Sequence, residues 1–131
     1  MKKVYFFAIF NLFLIIQIFS QTAEPLYYDV TTAGNLIIVT KENENEASAR
    51  VLMMVGLCYP AGDEITKQEI LDNITPIQNE IRKYFKETTK SELTNKENEE
   101  KYLSELVEII NKNIIKNGKI LKASFARKQI L

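Results

Sequence analysis

Residues 49–59 read ARVLMMVGLCY, with Arg50 the only charge. Split by the two-residue period of a strand, one face is Val51, Met53, Val55, Leu57 and Tyr59 and the other is Leu52, Met54, Gly56 and Cys58. Both faces are apolar, so this strand must lie at the centre of a sheet, covered at least partly on each side. Pro60, Ala61 and Gly62 end it. A central strand needs a neighbour on each edge. Leu36–Thr40 (LIIVT) supplies one, joined through a polar, acidic hairpin loop at Lys41–Ser48 (KENENEAS). The carboxyl-terminal run Lys119–Leu131 (KILKASFARKQIL) reads as a final strand of the same sheet.

Helices fill the interval between the second and third strands. Asp63 can cap a helix whose stripe is Ile70, Ile74, Ile77, Ile81 and Phe85, at three- and four-residue spacing. Pro76 interrupts it. Either the helix kinks, or a new one starts with Thr75 as cap and Gln78 completing a capping box; the stripe keeps phase across the proline, which favours one kinked helix. Thr88–Leu93 reads as a polar connection and Thr94 with Glu97 as a capping box. The helix that follows buries Leu103, Leu106, Val107, Ile110 and Ile114, and Asn117-Gly118 reads as its stop, with glycine left-handed. Strand, strand, helix, helix, strand is a small α+β domain: helices packed on an antiparallel-rich sheet of at least three strands.

Ahead of this domain, Lys2 and Lys3 precede Val4–Phe19, which carry no charge, and Ser20 follows. Positive residues, an apolar run and a small residue form the layout of an export signal. The run is slightly short for a spanning helix, and Asn11 and Gln17 interrupt it. Residues 1–20 are therefore read as a signal peptide or a short membrane anchor, residues 21–35 as a tether, and residues 36–131 as one domain on the far side of that membrane.

The chain has 17 basic and 17 acidic residues; with Lys2 and Lys3 in the leader, the rest carries 15 against 17. That balance argues against a nucleic-acid partner. No histidine is present, so Ser-His-Asp and Cys-His arrangements and imidazole metal sites are ruled out. Cys58 is a lone cysteine among aliphatic residues, and lone buried cysteines are usually space fillers. No catalytic residue, cofactor-binding residue or metal ligand is assigned, and the chain is expected not to be an enzyme. One asymmetry stands out. Residues 112–131 carry Lys112, Lys116, Lys119, Lys122, Arg127 and Lys128 without an acid, whereas residues 92–108 carry six glutamates against Lys96 and Lys101. Ordinary solvated faces account for this, and so does complementary charge between neighbouring copies or attraction of the basic end to anionic lipid headgroups.

The second half resembles the flagellar basal-body-associated FliL family. The resemblance lies in Ile74-Thr75-Pro76-Ile77 leading to Glu80-Ile81, in Lys90-Ser91-Glu92-Leu93-Thr94 at a helix start, and in Gly118-Lys119-Ile120 and Phe125 on a last strand. It implies a stomatin/prohibitin-like domain on the periplasmic side of the bacterial inner membrane. It also implies a homo-oligomeric ring around MotA/MotB-type stator units that supports motility, with the membrane engaged through residues 4–19 if these are retained. Departures mark a divergent paralogue: the apolar run starts at residue 4, and Lys128 stands where many relatives carry an aromatic. Leu26, Tyr27 and Tyr28, apolar and aromatic in an otherwise polar tether, are the candidate partner-binding residues; packing against the domain's own underside is the alternative. A secreted periplasmic module that binds a peptide or small ligand, unrelated to the flagellum, is the competing reading.

Overall fold

The computed structural model describes residues 27–131. The readings of residues 1–20 as leader or anchor, and of Leu26 as a contact residue, lie outside them. Strands β1 (Tyr28–Val39), β2 (Arg50–Pro60) and β3 (Lys122–Ile130) form one antiparallel sheet in the order β1-β2-β3. Between β2 and β3 run helices α1 (Glu64–Asp72), α2 (Ile74–Phe85), the short α3 (Lys90–Thr94) and α4 (Glu99–Asn113), with a 3-10 turn at Lys96–Asn98 before α4. The α+β class and the element order follow the sequence reading, and β2 is central.

The helices cover one face of the sheet. Val51, Met53, Val55 and Leu57 of β2 are fully buried there, together with Leu36 and Ile38 of β1. From the helices come Ile70, Ile77, Ile81, Phe85, Leu106 and Ile110, all at zero exposure. Phe85 stands at the centre, with ring centroids 5.0 Å from Tyr84, 6.2 Å from Tyr102 and 5.9 Å from Phe125. Burying a side chain of this size contributes about 2–3 kcal/mol from area alone.

Several local expectations are corrected. The first strand begins at Tyr28, so residues 28–35, read as tether, are strand. A bulge at Ala33-Gly34 lets it continue, with Gly34 at φ +83° and the Ala33 carbonyl accepting from Gln78 Nε2 at 2.6 Å. The helix does not run through Pro76: it breaks at Asn73, and α2 restarts at Ile74. Pro76 then sits in the first turn, where its missing N–H would have had no helical partner. Gln78 is spent on Ala33, so no capping box forms with Thr75. The polar connection contains α3, capped by Thr89, whose hydroxyl accepts from Glu92 N, and Leu93 within it is buried. Thr94 ends that helix; Asn95 caps the turn that follows. Gly118 does not have a positive φ. It is small because a Cβ there would lie 2.7 Å from Thr66 Cα.

Candidate functional site

The sheet has two open edges, and each lies under a groove. β1 is one edge. Its pairing beyond β2 is limited to the far end, where Lys41 N donates to Thr88 O at 2.8 Å. Beside it lies a groove of about 490 Å³ along the β1 edge, lined by Ile37, Ile38, Val39 and Thr40 and by Lys41, Arg82 and Lys86, with Glu87 as its acid. Arg82 and Lys86 are four residues apart, hence on one side of α2 and its C-cap. β3 is the other edge. Its groove, of about 610 Å³, runs between β3 and α4 over Leu103, Val107 and Leu121. Glu99, Glu100 and Glu108 rim it, with Lys96 and Lys122 at its margins. The β1 groove thus carries three cations against one acid, and the β3 groove three glutamates against two lysines, each around apolar residues.

The charge asymmetry seen in the sequence is partly consumed within the chain. β3 packs against α4, and Lys128 Nζ lies 2.5 Å from Glu99 Oε1 and 3.0 Å from the Leu93 carbonyl, with the ammonium 4.8 Å from the Phe125 ring centre. Of the basic set only Lys128 is spent in this way; Lys112, Lys116, Lys119, Lys122 and Arg127 stay exposed, and a second group of cations, Lys41, Arg82 and Lys86, lies at the β1 edge. Sequence reasoning missed them because Lys41 and the α2 pair are distant in the chain; the four-residue spacing of Arg82 and Lys86 was the available signal.

The named contact residues divide. Tyr27 is 75% exposed, and its carbonyl accepts from Ala61 N at 3.3 Å. Tyr28 is half-buried and opens β1, with Lys122 Nζ 4.4 Å from its ring centre. The structure therefore leaves Tyr27 free for a partner and occupies one face of Tyr28 with a cation from β3. Cys58 is buried, with a free thiol. Among the described residues no group of three or more Asp, Glu or Cys side chains is gathered as a metal site, and no helix is long and apolar enough to cross a membrane.

Titration marks the joints that hold these edges in place. The Glu69 carboxylate accepts from the backbone amides of Lys116, Asn117 and Gly118 at 2.7, 2.8 and 2.5 Å, and the Lys116 amide foremost holds it below the ordinary glutamate value. This clamps the loop that leads into β3 onto α1. Thr66 Oγ1 accepts from Lys119 N at 2.9 Å beside it and donates to Asp63, whose pKa is lowered chiefly by that bond. Glu46, held low mainly by the Ser91 hydroxyl at 2.7 Å, ties the β1–β2 loop to α3. Burial, reinforced by the hydrogen bond to Glu105, pushes the Tyr84 phenol well above its usual range. Every buried side-chain nitrogen and oxygen among the described residues has a partner.

No protein-family model matches the chain. It is similar to the flagellar protein FliL of Treponema pallidum (strain Nichols), at 26% identity over 119 residues, covering 86% of this chain and 65% of that protein. The chain thus spans a little under two thirds of the length of this curated relative, and it is FliL-like at a distance.

Proposed function

We propose that the chain is a non-catalytic accessory of a flagellar motor. In this reading it is held on the periplasmic side of the inner membrane, associates with further copies in a stomatin/prohibitin-like ring, and through that ring contacts MotA/MotB-type stator units. The similarity to a flagellar FliL protein supports the flagellar context. The observation that carries self-association is the pair of open, oppositely charged sheet edges. A second copy that set its β1 edge against β3 would extend the sheet and bring Lys41, Arg82 and Lys86 toward Glu100 and Glu108, Glu99 being held by Lys128. Such a contact is head-to-tail, and head-to-tail contacts close into rings when the rotation allows. Charged edges otherwise serve to discourage indiscriminate pairing, so here they also select the partner.

The test is cysteine crosslinking in cells. Cysteines at Val30, Ile37 or Val39 are combined with cysteines at Ser124, Arg127 or Gln129, all in a Cys58→Ser background. Oxidation is expected to give a ladder of oligomers, abolished by Arg82→Glu with Lys86→Glu and recovered when Glu100→Lys and Glu108→Lys are added. Stator proteins are expected to be recovered with the ladder, and a deletion strain is expected to swim poorly. Monomers alone, together with normal motility in the deletion strain, would refute this function. The β3 groove also suits an extended peptide, so monomers that capture a peptide there would support the alternative of a secreted binding module.

A further inference from the structure

The face of the sheet turned away from the helices is covered by no described element and mixes apolar residues with polar and basic ones. Read across the register, its rows are Val30–Cys58–Lys122, Thr32–Gly56–Ser124, Asn35–Met54–Arg127 and Ile37–Leu52–Gln129, ending at Val39 and Arg50. Val30 is 55%, Ile37 43% and Val39 54% exposed, and Leu52 and Met54 are half-buried. At Gly56 the surface is kept low: a Cβ there would meet Val30 Cγ1 at 3.0 Å and Ser124 Oγ at 3.2 Å. The cations of the face are Arg50, Lys122 and Arg127, all exposed, and none of its rows contains a carboxylate. The nearest acids are Asp29, next to Val30 in β1 and accepting from Gly62 N at 3.1 Å, and Glu42 and Glu44 in the loop beyond Val39. The helix side is mixed: Glu92, Glu97, Glu100 and Glu108 are exposed there, and so are Lys67, Lys83, Lys90, Lys101 and Lys112.

We propose that this sheet face lies on an anionic bilayer surface, with Arg50, Lys122 and Arg127 among the headgroups and Val30, Ile37 and Val39 at the boundary below them. A second copy of the same face is a poor occupant, since pairing it with itself would stack like charges. An anionic surface is complementary to it, because its three cations stand among exposed apolar residues with no acid in their rows, whereas on the helix side each sign is interspersed with the other. Chain length agrees. Residues 21–27 connect the end of the apolar run to the start of β1 and reach at most about 25 Å. The sheet is about 35 Å long at the rise of a strand. With residues 4–19 in the bilayer, a reading on which this inference rests, Tyr28 is held within one sheet length of the headgroups. Each basic side chain at an anionic surface strengthens the contact about fivefold.

The experiment uses the full chain with Cys58→Ser and a single fluorescent label, at Ile37→Cys or, as the control, at Glu108→Cys. It is reconstituted into phosphatidylcholine vesicles with or without about one third phosphatidylglycerol. Flotation reports attachment; iodide quenching reports cover of the labelled site. The expected result is flotation on both vesicles, with the label at position 37 shielded from iodide at least about fivefold only on the anionic ones and exposed again by Lys122→Glu with Arg127→Glu. The label at position 108 stays open throughout. Flotation with position 37 as open as position 108 overturns the proposal and leaves the membrane anchor standing. Flotation and shielding on anionic vesicles only would uphold the face while refuting the anchor. Shielding on both vesicles, or shielding that survives charge reversal, means that protein and not lipid covers the face, and also overturns it. Absence of flotation on either vesicle overturns both readings. Circular dichroism of the reversed variant separates loss of contact from loss of fold.

Discussion

Replacing Glu69 by glutamine removes one charge and leaves every apolar contact in place. The carboxylate takes three successive amides, those of Lys116, Asn117 and Gly118, at 2.7, 2.8 and 2.5 Å. A hydrogen bond to a charged group is worth about 1.5–3 kcal/mol when buried. This carboxylate is partly solvated, so water replaces much of what is lost, and about 0.7 kcal/mol per bond is a reasonable discount. The sum is about 2 kcal/mol. With a urea slope of about 1.5 kcal/mol per molar, the unfolding midpoint should fall by about 1.3 M at pH 7. The sign with pH follows from the direction of the shift. Glu69 is lowered in the folded state, so its stabilisation is present above the unfolded glutamate value of 4.5 and lost as pH falls through the lower folded value. Urea titrations of both proteins, followed by circular dichroism from pH 7 downward, should therefore differ widely at pH 7 and draw together as pH falls below the unfolded value. An equal midpoint at pH 7 with an unchanged slope would refute the clamp, leaving Ile115 and Ile120 to hold the loop by burial.

Gly118→Ala should destabilise by about 3 kcal/mol or more, because the new Cβ falls against Thr66 backbone and side chain and no rotamer relieves it; thermal unfolding would read this as a clear drop in Tm. Phe85→Ala leaves a cavity at the meeting point of Tyr84, Tyr102 and Phe125 and should cost about 4 kcal/mol, measured by urea unfolding. Gly34→Ala forces a positive φ on a residue with a side chain and crowds Gln78 at 3.1 Å, a loss of about 1–2 kcal/mol in the same assay. Association through the sheet edges should weaken severalfold as ionic strength rises from about 0.05 to 0.5 M, since exposed charges are screened within a few ångströms at the upper end, and sedimentation velocity would follow it.

Much of the architecture was legible because β2 is apolar on both faces and because Ile70, Ile77, Ile81 and Phe85 keep helical phase. The errors came where one residue has two physical uses. Gly34 and Asn35 resemble a loop, yet glycine also permits a bulge, so the first strand reaches back to Tyr28. Pro76 resembles a kink, yet it fits the opening turn of a new helix without loss. Gly118 resembles a helix stop, yet what requires it is the closeness of Thr66 from another helix. Thr94 with Glu97 has the spacing of a cap, yet Asn95 supplies it. The two charged edges were not legible, since Lys41 meets Arg82 and Lys86, and Glu99 meets Leu121, only after the sheet has chosen its order.

Both outer strands are bulged at the same level of β2. β1 inserts Ala33-Gly34 between the partners of Gly56 and Met54, and β3 inserts Ala126 between the partners of Val55 and Met54. Pairing has period two, so a strand that slipped by one residue would turn Phe125 out of the core and Ser124 into it. The paired bulges fix the alignment from both sides. β3 is joined to β2 through a long helical excursion, and its extra residue at Ala126 keeps both Phe125 and Lys128 on the helix side of the bulge. The pair of irregularities therefore acts as a keyway, so that the strand completing the sheet seats in a single register when the chain folds.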